Sequence, residues 1–184
     1  MTWLTTRTRR ARTTVCTAAL CLAAADLGPP PLAQAARGDA ALETSVATVV
    51  GEFTIDHDEA KGMYALVLNG KRLLENEFSP IYLSPLLKGR GQDFLLVYIS
   101  SGGIACPGKF RALRVKSPVV LSEEFGTCSD SYRAKVEGDR LVVTMPTYLA
   151  HPEDVDPAEV RRMRRTEVIY TYVDGLLSER ESRR

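Results

Sequence analysis

Short segments that alternate between apolar and polar side chains, joined by two-residue turns, constrain the fold of this chain most strongly. Residues 132–137 alternate in this way, and Gly138-Asp139 then leads into the apolar run 141–143. Asn69-Gly70 joins two further apolar runs and is the strongest short-range hairpin signal, because both turn residues tolerate positive φ. Alternation with a period of two indicates half-buried β-strands. The sequence therefore predicts a fold built mainly from antiparallel hairpins.

One segment lacks this alternation and marks the centre of the fold. Residues 94–99 (FLLVYI) are apolar throughout, as expected of a strand whose two faces are both buried. In residues 110–115 the apolar positions alternate with Arg111 and Arg114, and Leu113 is out of phase with that alternation. We therefore expect residues 94–99 at the centre of the sheets.

A single helix is predicted late in the chain, at residues 157–164. Asp156 can cap it, Pro157 suits its first position, and several arginines fall near its end, where cations favour the helix dipole. Further strands are predicted at residues 48–53, 63–68, 71–74, 81–83, 119–121, 169–173 and 176–177. Many short strands and one short helix indicate a mainly β fold, either an antiparallel β-sandwich or a small barrel.

The first 35 residues have the three-part pattern of a secretory signal peptide. Four arginines precede an apolar run at residues 15–25, which is too short to span a bilayer. Ala33-Gln34-Ala35 then offers a small-x-small cleavage site. An uncleaved membrane anchor is the alternative. We expect a cleaved, exported protein that begins near Ala36 and is periplasmic or secreted.

The charge that remains after cleavage argues against nucleic-acid binding. The chain has 24 basic and 23 acidic residues, and the segment through Ala35 contains four Arg and one Asp, which leaves 20 basic and 22 acidic residues. Nucleic-acid binding normally needs a strongly basic surface, so none is predicted. No later segment is apolar enough to be transmembrane. The exported part is predicted to comprise a flexible lead-in (36–47), a single β-rich domain (48–178) and a charged tail (179–184).

Cys106 and Cys128 are the two cysteines that remain after cleavage. In an oxidising compartment they most simply form a disulfide bond with each other, although a buried pair of free thiols or one reactive thiol is also open. The predicted strand pair between them would return the chain close to its start. Such a bond would hold two glycine-rich turns side by side. The candidate binding surface is placed there, at Ser101, Gly103, Asp130 and Tyr132.

Two histidines are the candidates for catalysis or metal binding. His57 and His151 each lie among acidic residues. Carboxylates around an imidazole can bind a divalent metal or raise the pKa of the histidine, but the same pattern is typical of a polar surface loop, which is the preferred interpretation. Ser100 and Ser101 end a strand, a position at which some hydrolases hold their nucleophile, yet the G-x-S-x-G pattern is missing. No catalytic residue, metal site or cofactor is predicted.

A run of arginines (RRMRR, residues 161–165) lies at the end of the predicted helix. It could attract phosphate, lipid headgroups or an acidic partner. Four acidic residues lie immediately upstream, between positions 153 and 159. The preferred interpretation is a helix end whose charge these acids balance.

Two motifs carry a resemblance to known proteins. SSGGIACPGKF begins at Ser100, and SEEFGTCSD ends at Asp130. The pattern resembles that of uncharacterised exported proteins of Gram-negative bacteria, in which an SGG-x-ACP segment precedes an FGTCSD segment. The resemblance implies a cell-envelope location and a bond between Cys106 and Cys128. It implies no activity and no catalytic residue.

The sequence predicts a class of function rather than an activity. A small β domain with one disulfide and no convincing nucleophile–base pair favours a non-catalytic binding or inhibitor-like module of the cell envelope. Its partner would be an unidentified envelope protein or a small ligand. The alternatives are a small hydrolase or metal-dependent enzyme that uses His57 or His151, and a lipid-binding barrel, which would need a hollow apolar interior. Whether the protein is an enzyme stays open.

Overall fold

The computed structural model describes residues 36–37 and 42–183. The predicted signal peptide, residues 1–35, lies outside the described residues. The elements of the described residues are β1 (Ala36–Arg37), β2 (Ser45–Thr48), β3 (Gly51–Asp58), β4 (Met63–Leu68), β5 (Lys71–Glu77), β6 (Ile81–Leu83), β7 (Asp93–Ser100), β8 (Gly108–Val115), β9 (Val120–Leu121), β10 (Arg133–Glu137), β11 (Arg140–Pro146), a 3₁₀ helix (Pro152–Asp154), α1 (Pro157–Arg164), β12 (Thr166–Val173) and β13 (Leu176–Arg183).

These strands form three antiparallel sheets. The central sheet has the order β6-β7-β8-β9, the first outer sheet has the order β1-β10-β11-β12-β13, and the second outer sheet has the order β2-β3-β4-β5. One cluster of buried apolar side chains joins the central sheet to the first outer sheet, and another joins it to the second. The fold of the described residues is therefore a three-layered β-sandwich, which confirms the predicted mainly β class with one short helix.

The central sheet is buried on both faces, as the uninterrupted apolar run predicts. Phe94 and Leu96 of β7 pack against the first outer sheet. Leu95 and Val97, which alternate with them, pack against the second. All four are at most 1% exposed. A strand covered on both faces has no solvent side, so an alternating polar residue there would be buried at a high cost in free energy.

Leu113 is out of phase with Phe110 and Ala112, as the sequence indicates, because β8 is also covered on both faces. Phe110 packs against the first outer sheet, whereas Leu113 and Val115 pack against the second. Arg114 interrupts this pattern without leaving a free charge, since its guanidinium forms an ion pair with Asp174 at 3.0 Å. The period-two alternation fails here for the same reason that it fails in β7.

Two-residue turns join the hairpins that the sequence predicts. β4 and β5 meet at Asn69-Gly70, where φ is 50° and 80°. β10 and β11 meet at Gly138-Asp139, and β12 and β13 meet at Asp174-Gly175. Turn residues with positive φ match the right-handed twist of the strands they join. These three hairpins are confirmed.

The structure shows two strand boundaries and a pairing that the sequence did not reveal. β2 ends at Thr48 and β3 begins at Gly51, so residues 48–53 form no single strand; φ is 129° at Gly51, and Thr48 Oγ1 donates to its carbonyl. β13 continues to Arg183, beyond the predicted strand end, and pairs with β12 throughout. Its charged side chains suit an edge strand, because they discourage pairing with another chain. β1, in the predicted lead-in, pairs with β10.

The helix α1 has the bounds and the cap that the sequence predicts. Asp156 Oδ1 accepts hydrogen bonds from the backbone N–H groups of Ala158 (2.7 Å) and Glu159 (3.4 Å). These bonds satisfy donors that the first turn of a helix leaves unpaired. Among the described residues, no helix combines the length and the apolar character that crossing a membrane requires.

The two ends of the sandwich carry different connections. The turns at Gly138-Asp139 and Asp174-Gly175 lie at one end, here called the turn end, where the Gln92 side chain donates to the Asp139 carbonyl. Three long connections, residues 101–107, 122–132 and 147–156, lie at the opposite end, here called the loop end. The second connection is bonded to the end of β11, directly before the third connection, where Thr127 Oγ1 donates to the Pro146 carbonyl at 2.7 Å.

Alanine substitutions of three leucines test the double-sided burial of the central sheet. Leu95→Ala and Leu96→Ala remove buried side chains from opposite faces of β7, so each should lower the free energy of unfolding by about 2–5 kcal/mol. Leu176→Ala is the matched control, because Leu176 is 74% exposed, and it should change that free energy by less than about 0.5 kcal/mol. Urea unfolding followed by circular dichroism measures all three. A buried-site variant as stable as the control would show that its face of the sheet is not packed as described.

Candidate functional site

A disulfide bond joins two connections at the loop end. Cys106 and Cys128 are bonded, with a Cα–Cα distance of 4.6 Å. Cys106 lies between β7 and β8, and Cys128 lies between β9 and β10. β8 and β9 pair antiparallel between the two cysteines, so the chain goes up and returns close to its start. The predicted pairing is confirmed, and the two free-thiol alternatives are wrong for this structure.

The first connection is a closed loop with an exposed tip. The backbone N–H of Ser101 donates to the Pro107 carbonyl at 2.9 Å, and the Ser101 hydroxyl donates to the Cys106 carbonyl. Residues 101–105 are all exposed. Ile104 at the tip is 76% exposed, to a degree similar to Val49, Phe78 and Leu176. The loop therefore holds an apolar side chain in solvent.

Two tyrosines hold this loop from outside it. The Tyr148 hydroxyl donates to the Ile104 carbonyl, and the Tyr98 hydroxyl donates to the Pro107 carbonyl at 3.1 Å. Sequence reasoning missed both roles. The chain has seven tyrosines, and nothing in their spacing separates these two from tyrosines of the core. The glycine-rich stretch and Cys106 were the signals that located the loop itself.

Gly108 explains how closely the loop approaches Tyr98. A Cβ atom at this position would lie 2.3 Å from Tyr98 Cε2, well inside van der Waals contact. Only glycine therefore lets β8 begin directly against that ring. Burial raises the pKa of Tyr98; a hydrogen bond with Ser100 opposes the rise, and the negative charge of Asp130 adds to it. Asp130 thus lies close enough to the first loop for its charge to act there.

The second connection is anchored as firmly as the first. Lys109 Nζ donates to the Gly126 carbonyl at 2.6 Å, and the Ser131 backbone N–H donates to Ser129 Oγ at 3.1 Å. Phe125 packs beneath it, with its ring centroid 4.8 Å from that of Tyr170. Burial is the main cause that raises the pKa of Tyr170 to about 12. These contacts fix the backbone on both sides of Cys128.

The four residues of the predicted binding surface separate into two groups. Ser101, Gly103 and Asp130 are exposed at the loop end. Tyr132 is only 5% exposed, and its ring packs edge-on against Phe110 with centroids 5.1 Å apart. Burial raises the pKa of the Tyr132 phenol. Tyr132 is therefore a core residue that supports the loops from below, and its predicted place on the surface is wrong.

The exposed remainder is called the disulfide-linked surface and comprises residues 101–105 and Asp130. It combines one large apolar side chain, four small or hydroxyl-bearing neighbours and one carboxylate. Both of its connections are tied to the sandwich by the bonds described above and to each other by the disulfide. Chemically, such a surface can bury an apolar group of a partner and orient it with polar contacts at the rim.

The two histidines lie on separate parts of the fold, and neither completes a catalytic arrangement. His57, on β3, is exposed and stacks on Tyr64 with ring centroids 4.0 Å apart. His151, after β11, contacts Glu153 at 3.2 Å. Within the described residues, no hydrogen bond joins either histidine to the serines that end β7. Acyl-transfer chemistry needs contact between a nucleophile and its base, and neither histidine makes that contact with these serines.

Among the described residues, one group of side chains could hold a metal ion. Ligand atoms of His151, Glu153 and Asp154 lie within 4.8 Å of one another. All three residues are exposed and belong to one short stretch around the 3₁₀ helix. Exposed acidic groups of this kind are well solvated without a metal. Nothing else in the described residues around this group points to a bound metal ion.

Comparison with known proteins gives no information on the function of this chain. No protein-family model, no curated protein and no solved structure matches this chain. The resemblance to exported proteins of Gram-negative bacteria stays a prediction.

Reduction of the disulfide should destabilise the fold. A bond that closes a loop with a sequence separation of 22 residues restricts the unfolded chain, so reduction should lower the free energy of unfolding by about 3 kcal/mol. Urea unfolding with and without a thiol reductant measures this. The control is Cys106→Ser with Cys128→Ser, in which the reductant should have no effect. Equal stability of the oxidised and reduced wild-type protein would contradict a stabilising bond.

Proposed function

We propose that the protein is a non-catalytic binding module of the cell envelope that engages its partner through the disulfide-linked surface. One observation carries the proposal. Ile104 is 76% exposed at the tip of a loop that a disulfide, two tyrosine hydroxyls and a backbone hydrogen bond hold in place. An exposed apolar side chain on an ordered loop is the arrangement by which loops on a rigid scaffold bind partners.

The order of the loop supports a binding role on energetic grounds. Association is opposed by the conformational entropy of loops and side chains that become ordered at the interface. The bonds that fix residues 101–107 in the free protein remove much of that cost in advance. A flexible loop with the same residues would bind more weakly. The central sheet, buried on both faces, provides the rigid base.

The disulfide also supports the proposed location. Disulfide bonds persist in oxidising compartments such as the bacterial periplasm and the extracellular space. Export through the predicted signal peptide, with cleavage near Ala36, would deliver the chain to such a compartment. The partner is accordingly proposed to be an envelope protein or a small ligand found there.

Two alternative functions have weaker support. An enzyme would need His57 or His151 beside a nucleophile or a bound metal, and both side chains are exposed on separate parts of the fold. A lipid carrier would need a hollow interior. Phe53 and Phe94 are fully buried between the sheets and Tyr172 is 1% exposed, which favours a filled interior.

Charge placed at the tip of the loop tests the proposal. Ile104→Asp should abolish capture of a partner from envelope extracts by the immobilised protein, because a carboxylate would be desolvated in the interface. Leu176→Asp is the matched control, since this equally exposed leucine lies at the turn end, and it should retain the partner. Quantitative mass spectrometry of the captured proteins and ligands measures both.

A histidine double variant separates binding from catalysis. His57→Ala with His151→Ala should leave both the circular dichroism spectrum and partner capture unchanged. A reproducible turnover of substrate that the double variant abolishes, with its spectrum unchanged, would show that the protein is an enzyme.

For the loop-tip variants, loss of capture by Leu176→Asp to the same extent as by Ile104→Asp would contradict the proposed surface.

A further inference from the structure

Four arginines line one concavity at the loop end. These arginines are distant in sequence from the residues of the disulfide-linked surface. Its volume is about 410 Å³, and its lining residues are Ala158, Arg161, Arg162, Arg165 and Arg183. The first four are spaced at i, i+3, i+4 and i+7, which places them along one face of a helix. The fifth comes from the end of β13, where Arg183 pairs with Thr166 directly after the helix.

The balancing role that the sequence suggests for the upstream acids is largely absent. Asp156 is used as the helix cap, and Glu153 contacts His151. Only Glu159 reaches the arginine run, where its carboxylate accepts a hydrogen bond from Arg162 Nε at 2.8 Å. Glu181 adds a second negative charge near Arg162. One arginine of the concavity is therefore compensated by direct contact.

The other three arginines of the concavity have no such partner. Within residues 42–183, the side chains of Arg161, Arg165 and Arg183 form neither an ion pair nor a hydrogen bond, and all three are exposed. A favourable interaction with the helix dipole explains arginines in the last turn of α1. It does not explain why Arg183, from a different element, completes the same concavity. Positive charge is thus in excess around the concavity, because Glu159 and Glu181 act on Arg162 and no described acid forms an ion pair with the other three arginines.

We propose that this concavity is a binding site for a phosphoryl group. A guanidinium presents its N–H donors in a planar fork that matches two oxygens of a phosphate. Three uncompensated arginines suit an anion with more than one negative charge, which a phosphoryl group provides and a single carboxylate does not. The volume falls within the range of small-molecule sites, roughly 300–1,000 Å³. The site does not depend on the function proposed for the disulfide-linked surface.

The phosphoryl group has two possible sources, a soluble phosphorylated molecule or the headgroup of a membrane lipid. Both present the same oxygens to the arginines. Inorganic pyrophosphate represents the first source, and vesicles of phosphatidylglycerol represent the second, with phosphatidylcholine vesicles as the zwitterionic comparison. Binding of either probe through the concavity supports the proposal and identifies the source.

The test uses the protein as it is purified from cells. The salt concentration is about 0.15 M, which suppresses non-specific electrostatic attraction. Arg161→Gln with Arg165→Gln, and Arg183→Gln separately, should each weaken binding of the responding probe by about tenfold or more. Arg164→Gln is the matched control, because Arg164 is exposed on the same helix but does not line the concavity. It should change the Kd by less than about twofold.

Isothermal titration calorimetry measures pyrophosphate binding, and co-sedimentation measures vesicle binding. Circular dichroism confirms that every variant is folded. Because all the substituted positions are exposed, we expect each variant to fold. The proposal is overturned if the wild-type protein binds neither probe. It is equally overturned if Arg164→Gln weakens binding as much as the pocket variants, since that result would reflect only the net charge of the helix.

Discussion

Burial of the central strand pair on both faces is the constraint on which the rest of the structure depends. β7 and β8 contribute side chains to two separate hydrophobic clusters, and each outer sheet can bury its apolar face only against them. With each fully buried leucine or phenylalanine contributing roughly 1.5–3 kcal/mol, two clusters on one sheet tie the stability of both outer layers to it. The three layers are therefore expected to unfold together.

The layered arrangement also places three long connections at one end of the molecule. Two-residue turns close the β10–β11 and β12–β13 hairpins at the turn end, whereas the connections 101–107, 122–132 and 147–156 lie at the loop end. There the disulfide, Tyr98 and Tyr148 hold residues 101–107 against the end of the central sheet. The loop keeps an apolar tip in solvent without losing its order. An ordered, exposed tip is what links the packing of the core to the proposed binding role.

The sequence predicts the parts of this structure that depend on local chemistry. Asn69-Gly70, the Asp156 cap and the apolar run of β7 each produce the structure that their residue types favour. It fails where contacts between distant residues decide. Leu113 is out of phase because a second sheet covers its face of β8, and that sheet cannot be seen in the sequence. Tyr132, Tyr98 and Tyr148 have the same residue type, yet the first lies in the core and the hydroxyls of the other two hold the loop, and only their tertiary contacts distinguish them.

Hydrogen–deuterium exchange of individual amides, measured by NMR with the disulfide intact and then reduced, tests the central claim. That claim is that the doubly buried strand pair forms a rigid base on which the disulfide keeps the exposed loop ordered. The account predicts that amides of β7 and β8 exchange most slowly in both states. Reduction should accelerate exchange in residues 101–107 and 122–132 far more than in those strands. Faster exchange in β7 and β8 than in the outer sheets, or loops that exchange equally in both states, would contradict the account.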